Sequence, residues 1–239
     1  MGPAAKSRLR RASGAGALVL AALASGGCPS RPGAPAQAPG AARPVPSTPL
    51  AQAVPLKLEG PYVHAGTGIE FPATAEGFRR VLPRRYDEEG NDVGIGYSRV
   101  WKDFHAEVTI YAYPAPLRAD GQVMTFDEQF TQECLELRQG KEGVKLIATG
   151  PVPGTLGGAE VAGRFAEFEC AGTREFGGRR VATVLTSFPK GDWRLKYRVT
   201  LPAERRDPGL AAVRDLLATL KLPPLGVTLA DVAPAEAPK

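Results

Sequence analysis

VATVLTSFPKGDWRLKYRVTL, residues 181–201, decides the fold. In its second half Trp193, Leu195, Tyr197, Val199 and Leu201 alternate with Arg194, Lys196, Arg198 and Thr200. A period of two with one apolar and one wet face is the pattern of a half-buried strand. Its first half, Val181 to Phe188, is rich in β-formers, and Pro189-Lys190-Gly191-Asp192 is short enough to join the halves as a hairpin. Working outward, Gly77–Asp87, Val93–Trp101 and His105–Tyr113 read as a meander, turned first at Glu89-Gly90-Asn91-Asp92 and then at Lys102-Asp103-Phe104. Pro83 inside the first of these runs marks an edge or a bulge. Glu160–Cys170 is a further strand whose imperfect alternation predicts a bulge.

Two helical patterns interrupt the strands. Thr125 can N-cap the first with Glu128 closing a capping box, Phe126, Phe130, Cys134 and Leu137 line one face, and Gly140 ends it. The second opens with Asp207 as N-cap and Pro208 at the first helical position, with Leu210, Val213, Leu217 and Leu220 as its stripe. Runs of strands with two helices give an α+β class: an antiparallel β-sheet of about six or seven strands with two packed helices.

The N-terminus carries a different signal. Lys6, Arg8, Arg10 and Arg11 precede an apolar run from Ala15 to Ala24, shorter than the ~20 residues of a membrane span and matching the h-region of a signal peptide over residues 1–27. Two exits are open. Ala22-Leu23-Ala24 is an A-x-A cleavage site that would release a soluble periplasmic or secreted protein. Ser25-Gly26-Gly27-Cys28 resembles the lipobox of bacterial lipoproteins, with Ser25 where Leu is usual, and would make Cys28 the lipid-attachment residue of a membrane-anchored envelope protein. The cysteines are three, Cys28, Cys134 and Cys170, and lipidation of Cys28 leaves an even pair. Cys134 on the inward stripe of its helix faces the sheet that holds Cys170, so a Cys134–Cys170 disulfide is expected in an exported protein. Residues 28–55 hold the lipidation cysteine and a Pro/Ala-rich linker too poor in large apolar residues to order itself; at ~3.1 Å per residue it reaches about 80 Å. The folded domain is then 56–222, with a loose tail at 223–239.

Charge excludes one class of partner. The formal net charge is +5, but six of the 30 Lys and Arg precede residue 56, where no acid stands, and the remainder sums to −1. A near-neutral domain lacks the electrostatic footprint of a nucleic-acid binder. No cofactor fingerprint is present either: Gly94-Ile95-Gly96 has Arg99 at the third glycine position, and such strand glycines mark close backbone approach.

The domain's inventory for catalysis is His64, His105, Ser98 and Ser187, with no G-x-S-x-G elbow, so no catalytic residue is assigned. His105-Ala106-Glu107 matches the H-x-E fragment of zinc deaminases without the P-C-x-x-C, and no metal ligand is assigned. Arg79, Arg80, Arg84 and Arg85 stand against Asp87, Glu88, Glu89 and Asp92 and are expected to neutralise across strands. Tyr97, Tyr111 and Tyr113 form a possible aromatic binding face, cross-strand packing being the other reading.

GIEFPATAEGFRR (68–80), RRYDEEGNDVGIGY (84–97) and HAEVTIYAYP (105–114) together resemble exported bacterial proteins in which FP, GF-x-R, a Tyr before a Gly-Asp turn, GY and Tyr-x-Tyr-Pro recur. That resemblance rests on Phe71, Pro72, Gly77, Phe78, Arg80, Tyr86, Gly96, Tyr97, Tyr111, Tyr113 and Pro114 and brings no assigned activity. More faintly, strands followed by a helix ending LATLKLP (217–223) are similar to PsbP-like α/β/α sandwiches, which are accessory subunits. The expectation is a non-catalytic envelope lipoprotein whose domain binds a protein partner or small ligand; an exported hydrolase with a site assembled from scattered residues is the alternative.

Overall fold

The quoted hairpin lies inside a nine-stranded antiparallel sheet. The structure, a computed structural model, describes residues 48–139, 143–172 and 174–227. In chain order the strands are β1 (Pro49–Pro55), β2 (Tyr62–Val63), β3 (Glu70–Phe71), β4 (Thr74–Ala75), β5 (Phe78–Asp87), β6 (Val93–Val100), β7 (His105–Pro114), β8 (Lys145–Leu156), β9 (Ala159–Ala171), β10 (Arg180–Lys190) and β11 (Trp193–Pro202). The helices are α1 (Phe126–Gln139) and α2 (Arg206–Thr219). The main sheet runs β1-β5-β6-β7-β11-β10-β9-β8, with β4 also on β5, while β2 and β3 pair separately.

The α+β class and the two helices stand; the strand count is larger than expected, for a physical reason. β8, KLIATGPVPGTL, carries Pro151 and Pro153 and is not among the expected strands, and β1 lies in the segment expected to be linker. Both are edge strands of the sheet. At an edge a missing N–H costs no ladder bond on the solvent side, so proline is tolerated there and blunts the edge against further pairing. Thr48 ties the start of β1 down, its N and Oγ1 donating to the two Glu89 carboxylate oxygens at 3.0 and 3.1 Å. Pro83 does mark a bulge: the β5–β6 register shifts between Val81 and Arg84, and Leu82 takes φ 46°. β9 is regular, and the bulge expected on it falls instead on its partner β8, between Leu146 and Ala148.

Alternation on β10 sends neighbours to opposite faces and gives each helix one face to cover. On one side Val184 and Ala182 pack with Val108, Val199 and Leu201 beneath Leu210, Val213, Leu216 and Leu217 of α2. On the other, Leu185 packs with Ala166, Phe168 and Phe130 of α1. The Thr125–Glu128 capping box forms, Thr125 N donating to Glu128 Oε2 at 3.0 Å and Glu128 N to Thr125 Oγ1 at 3.4 Å. α2 starts earlier than predicted. Ala203–Arg205 forms a 3-10 turn that feeds directly into Arg206, so Arg205 holds the N-cap position and Asp207 and Pro208 lie inside the first turn. There the Arg206 guanidinium donates Nε and Nη2 to the two oxygens of buried Glu167, at 2.6 and 2.8 Å.

Three further expectations are corrected. No disulfide joins Cys134 to Cys170. Cys134 packs on the Phe130–Phe168 cluster and Cys170 in a second cluster with Phe176 and Val181, with Val144 touching both. The two cysteines belong to different clusters, and burial pushes the Cys134 thiol up to about 11. The chain after Pro223 is not loose at first: Leu225 and Val227 join the core, and Thr186 Oγ1 donates to Leu225 O at 2.6 Å. Among the described residues Arg80 forms no salt bridge with an acid; its guanidinium donates to the carbonyls of Phe71 and Gly60, at 2.7 and 2.6 Å, and clasps the leading segment to β5.

Candidate functional site

β7 alternates Ala106, Val108, Ile110 and Ala112, all buried, with His105, Glu107, Thr109, Tyr111 and Tyr113 on the other face. That second face carries α1. In register beside it, β11 sets Lys196 opposite Tyr111 and Arg194 opposite Tyr113, and β6 sets Gly94 opposite Tyr111. Glycine at 94 lets the rings come close: a Cβ there would sit 3.1 Å from the Tyr111 ring and 3.2 Å from that of Tyr86, so the rings would have to give by a few tenths of an ångström. The two rings instead lie over the bare backbone, centroids 6.2 Å apart.

Against this floor α1 brings more than the apolar stripe read from its sequence. Gln129 and Glu133 lie between Phe126, Phe130 and Leu137 by helical spacing, and both are buried. Tyr113 Oη donates to Glu133 Oε1. Gln129 Nε2 donates to Tyr113 Oη at 2.7 Å and to Glu133 Oε1 at 2.9 Å, and Gln129 Oε1 accepts from Arg194 Nε at 2.7 Å. Lys196 Nζ stands 3.9 Å from Glu133 Oε1 and over the rings of Tyr111 and Tyr113, 4.8 and 5.3 Å from their centroids. The groups that reach Glu133, namely Tyr113, Gln129 and Lys196, all do so at Oε1. Glu133 Oε2 is buried without a partner.

The space between helix and sheet is a cleft of about 420 Å³, walled by Tyr111, Tyr113, Gln129, Glu133 and Lys196 with Tyr86, Asp92, Leu117 and Met124. Burial, then the nearby Asp87 carboxylate, pushes Asp92 up to about 6, with Lys196 opposing. Burial raises Tyr86 to about 12 and holds Tyr113 well above the ordinary phenol range, where the Glu133 charge adds to it. The arrangement is a polar lining in an aromatic pocket, with one buried carboxylate oxygen lacking a hydrogen-bond donor among the described residues.

Of the predicted aromatic face, Tyr111 and Tyr113 meet in this cleft and Tyr97 does not. Tyr97 pairs with Val108, so its ring points to the α2 side; it is fully buried and donates to Pro72 O at 2.8 Å. Cys28 lies outside the described residues. The histidines are apart from the cleft. His64 is buried edge-on to Trp193, its Nδ1 2.9 Å from Thr67 Oγ1 and its Nε2 3.1 Å from Asn91 O, and burial lowers its pKa. His105 stacks on Phe176 at 4.3 Å, with Glu107 Oε1 3.9 Å away. Ser187 is buried in β10 with an unpartnered Oγ. Among the described residues no group of three or more His, Cys, Asp or Glu is placed to hold a metal ion. Glu133 and Gln129 were not singled out from the sequence, and Lys196 and Asp92 only as wet-face and charge-neutralising residues; the available signal was two polar residues inside the apolar stripe of α1.

No family model and no curated protein matches the sequence. Among solved structures, the solution structure of PsbP from the cyanobacterium Synechocystis sp. PCC 6803 (CyanoP) is similar at a TM-score of 0.39 and 15% identity, over 66% of this chain and 88% of that one. A likeness this weak stands beside the PsbP-like resemblance of the sequence and carries no argument about ligand or activity. Among the described residues no helix is long and apolar enough to cross a membrane.

Proposed function

We propose that this is an exported, lipid-anchored envelope protein whose domain works by binding a small ligand or a partner's side chain in the cleft between α1 and the sheet. The observation that carries the binding reading is Glu133. A buried carboxylate with one oxygen unpartnered, in a pocket floored by Tyr86, Tyr111 and Tyr113, is a costly arrangement unless something docks there. Both histidines are meanwhile engaged outside it. Small-molecule mixtures added to isotopically labelled full chain should shift the resonances of Tyr86, Tyr111 and Gln132. Tyr111→Ala should weaken that binding about tenfold by removing the ring face, while His105→Ala leaves it within about twofold. Turnover of an ester, peptide or phosphate substrate that His105→Ala lowers roughly a hundredfold, with the fold kept, would decide for the exported hydrolase.

The anchor is supported by the basic n-region, the h-region and Ser25-Gly26-Gly27-Cys28. A lipid at Cys28 followed by a spacer would hold the domain close to the membrane and raise its effective concentration there. Cys28→Ser should move the protein from the membrane to the soluble envelope fraction. A mature N-terminus at Ser25, read by mass spectrometry, would show that ordinary cleavage is used instead.

A further inference from the structure

We propose that the cleft takes a small molecule bearing a primary ammonium on an aliphatic chain, the ammonium seated between the Glu133 and Asp92 carboxylates and against the Tyr86 and Tyr111 rings. This rests on the reading of the cleft as a binding site and names its ligand class.

Charge sets the sign. The lining carries Asp92, Glu133 and Glu136 against Lys196, two carboxylates in excess, so an anion is disfavoured. Lys196 pairs with Glu133 on the Oε1 side, 3.9 Å away and over Tyr111 and Tyr113, and gives no hydrogen bond to Oε2. Asp92 lines the same cleft as Glu133 and Lys196. Both carboxylates thus line one cleft, and among the described residues the buried Oε2 of Glu133 has no hydrogen-bond donor.

Hydrogen bonding sets the chemical type. An unpartnered acceptor wants N–H, which a primary ammonium has and a quaternary one lacks. The faces of Tyr86 and Tyr111 suit a cation beside them. A hard divalent metal is a poorer occupant, since it requires more oxygen ligands than two carboxylates give. Pro116, Leu117 and Met124 line the rest, which suits the methylenes of the chain, and a cleft of about 420 Å³ is the size of a small-molecule site.

The test is titration of the full chain with 1,5-diaminopentane, tetramethylammonium and pentanoate, read by calorimetry and by the Tyr86 and Tyr111 resonances. The diamine should bind saturably and roughly tenfold or more tighter than tetramethylammonium, with pentanoate not binding, since a charge-assisted hydrogen bond is what distinguishes them. Glu133→Gln and Asp92→Asn should each weaken the diamine about tenfold or more with the melting transition retained; if Glu133→Gln does not fold, Asp92→Asn carries the test. Equal binding of tetramethylammonium, or a diamine affinity indifferent to the folded carboxylate variants, overturns the proposal. Pentanoate or a neutral ligand in the cleft where the diamine fails overturns the ligand class and leaves the binding-site reading standing. If no compound of any charge moves the cleft resonances, that reading falls with it.

Discussion

Replacing Arg206 with Ala should lower the unfolding free energy by about 3 kcal/mol, roughly 10 °C in melting temperature for a domain of this size. Glu167 sits on β9 under the first turn of α2, its side chain 5% exposed, and Arg206 meets both its oxygens with a two-pronged guanidinium. The paired carboxylate holds the Arg206 pKa above its ordinary value, burial opposing. Truncating the arginine leaves the carboxylate in an apolar seam without its counterion, and that stranded charge is the larger part of the loss. The double replacement Arg206→Met with Glu167→Leu removes both charges and should recover most of the stability. Chemical denaturation of the three proteins decides the matter. A single-variant loss under about 1 kcal/mol would mean that the pair behaves as an exposed one.

Arg206 also illustrates what the sequence conceals. Its helix was legible, because Leu210, Val213, Leu217 and Leu220 repeat at helical spacing and fill the core. The start was not, because Asp207-Pro208 is a good helix opening in isolation, and the preceding 3-10 turn that overrides it depends on where β11 delivers the chain. The hairpin and meander were legible for the same reason as the helices: one-sided burial writes a period. β8 and β1 were not, since edge strands bear little burial and admit the prolines that mark loops elsewhere. The wet face read on Trp193–Leu201 is wet only in part. Arg194 is 5% exposed under α1, and Lys196 is half-buried, because nothing in a strand's alternation tells water from a polar cleft.

The tyrosines divide along the same line. Tyr111 and Tyr113 are two apart on one strand and must share a face. Tyr97 is on a neighbouring strand, and its face follows from the pairing of Tyr97 with Val108, a register no single-strand pattern contains.

Asp92→Asn should stabilise the domain at pH 8 by as much as about 3 kcal/mol, and the gain should vanish below about pH 4. The cause is burial first and the Asp87 charge second, which together carry Asp92 from an ordinary 3.8 to about 6 despite Lys196; Tyr86 and Tyr113 are the other titratable groups beside it. With the folded-state pKa above the unfolded one, the native protein holds a proton that the unfolded chain releases. The contribution to stability is complete below pH 3.8 and is lost as pH rises through about 6. Above that the carboxylate is held ionised in a place that disfavours it, by about two pKa units at about 1.4 kcal/mol each. Asparagine keeps the shape and removes the charge. His64 has the opposite sign: its pKa is lowered, so stability falls as pH drops below 6.5, where the unfolded chain takes up a proton that the buried imidazole resists. In the parent protein the two slopes oppose one another where both groups titrate, just below about pH 6. Removing Asp92 should therefore leave a variant more stable at pH 8 and more steeply weakened by acid, measured as unfolding free energy at each pH. Equal or lower stability of Asp92→Asn at pH 8 would show that Lys196 and solvent already satisfy the carboxylate. If the gain appears together with weaker diamine binding, the same charge is shown to cost the resting domain stability and to serve the ligand, a compromise expected at a binding site rather than in a purely structural core.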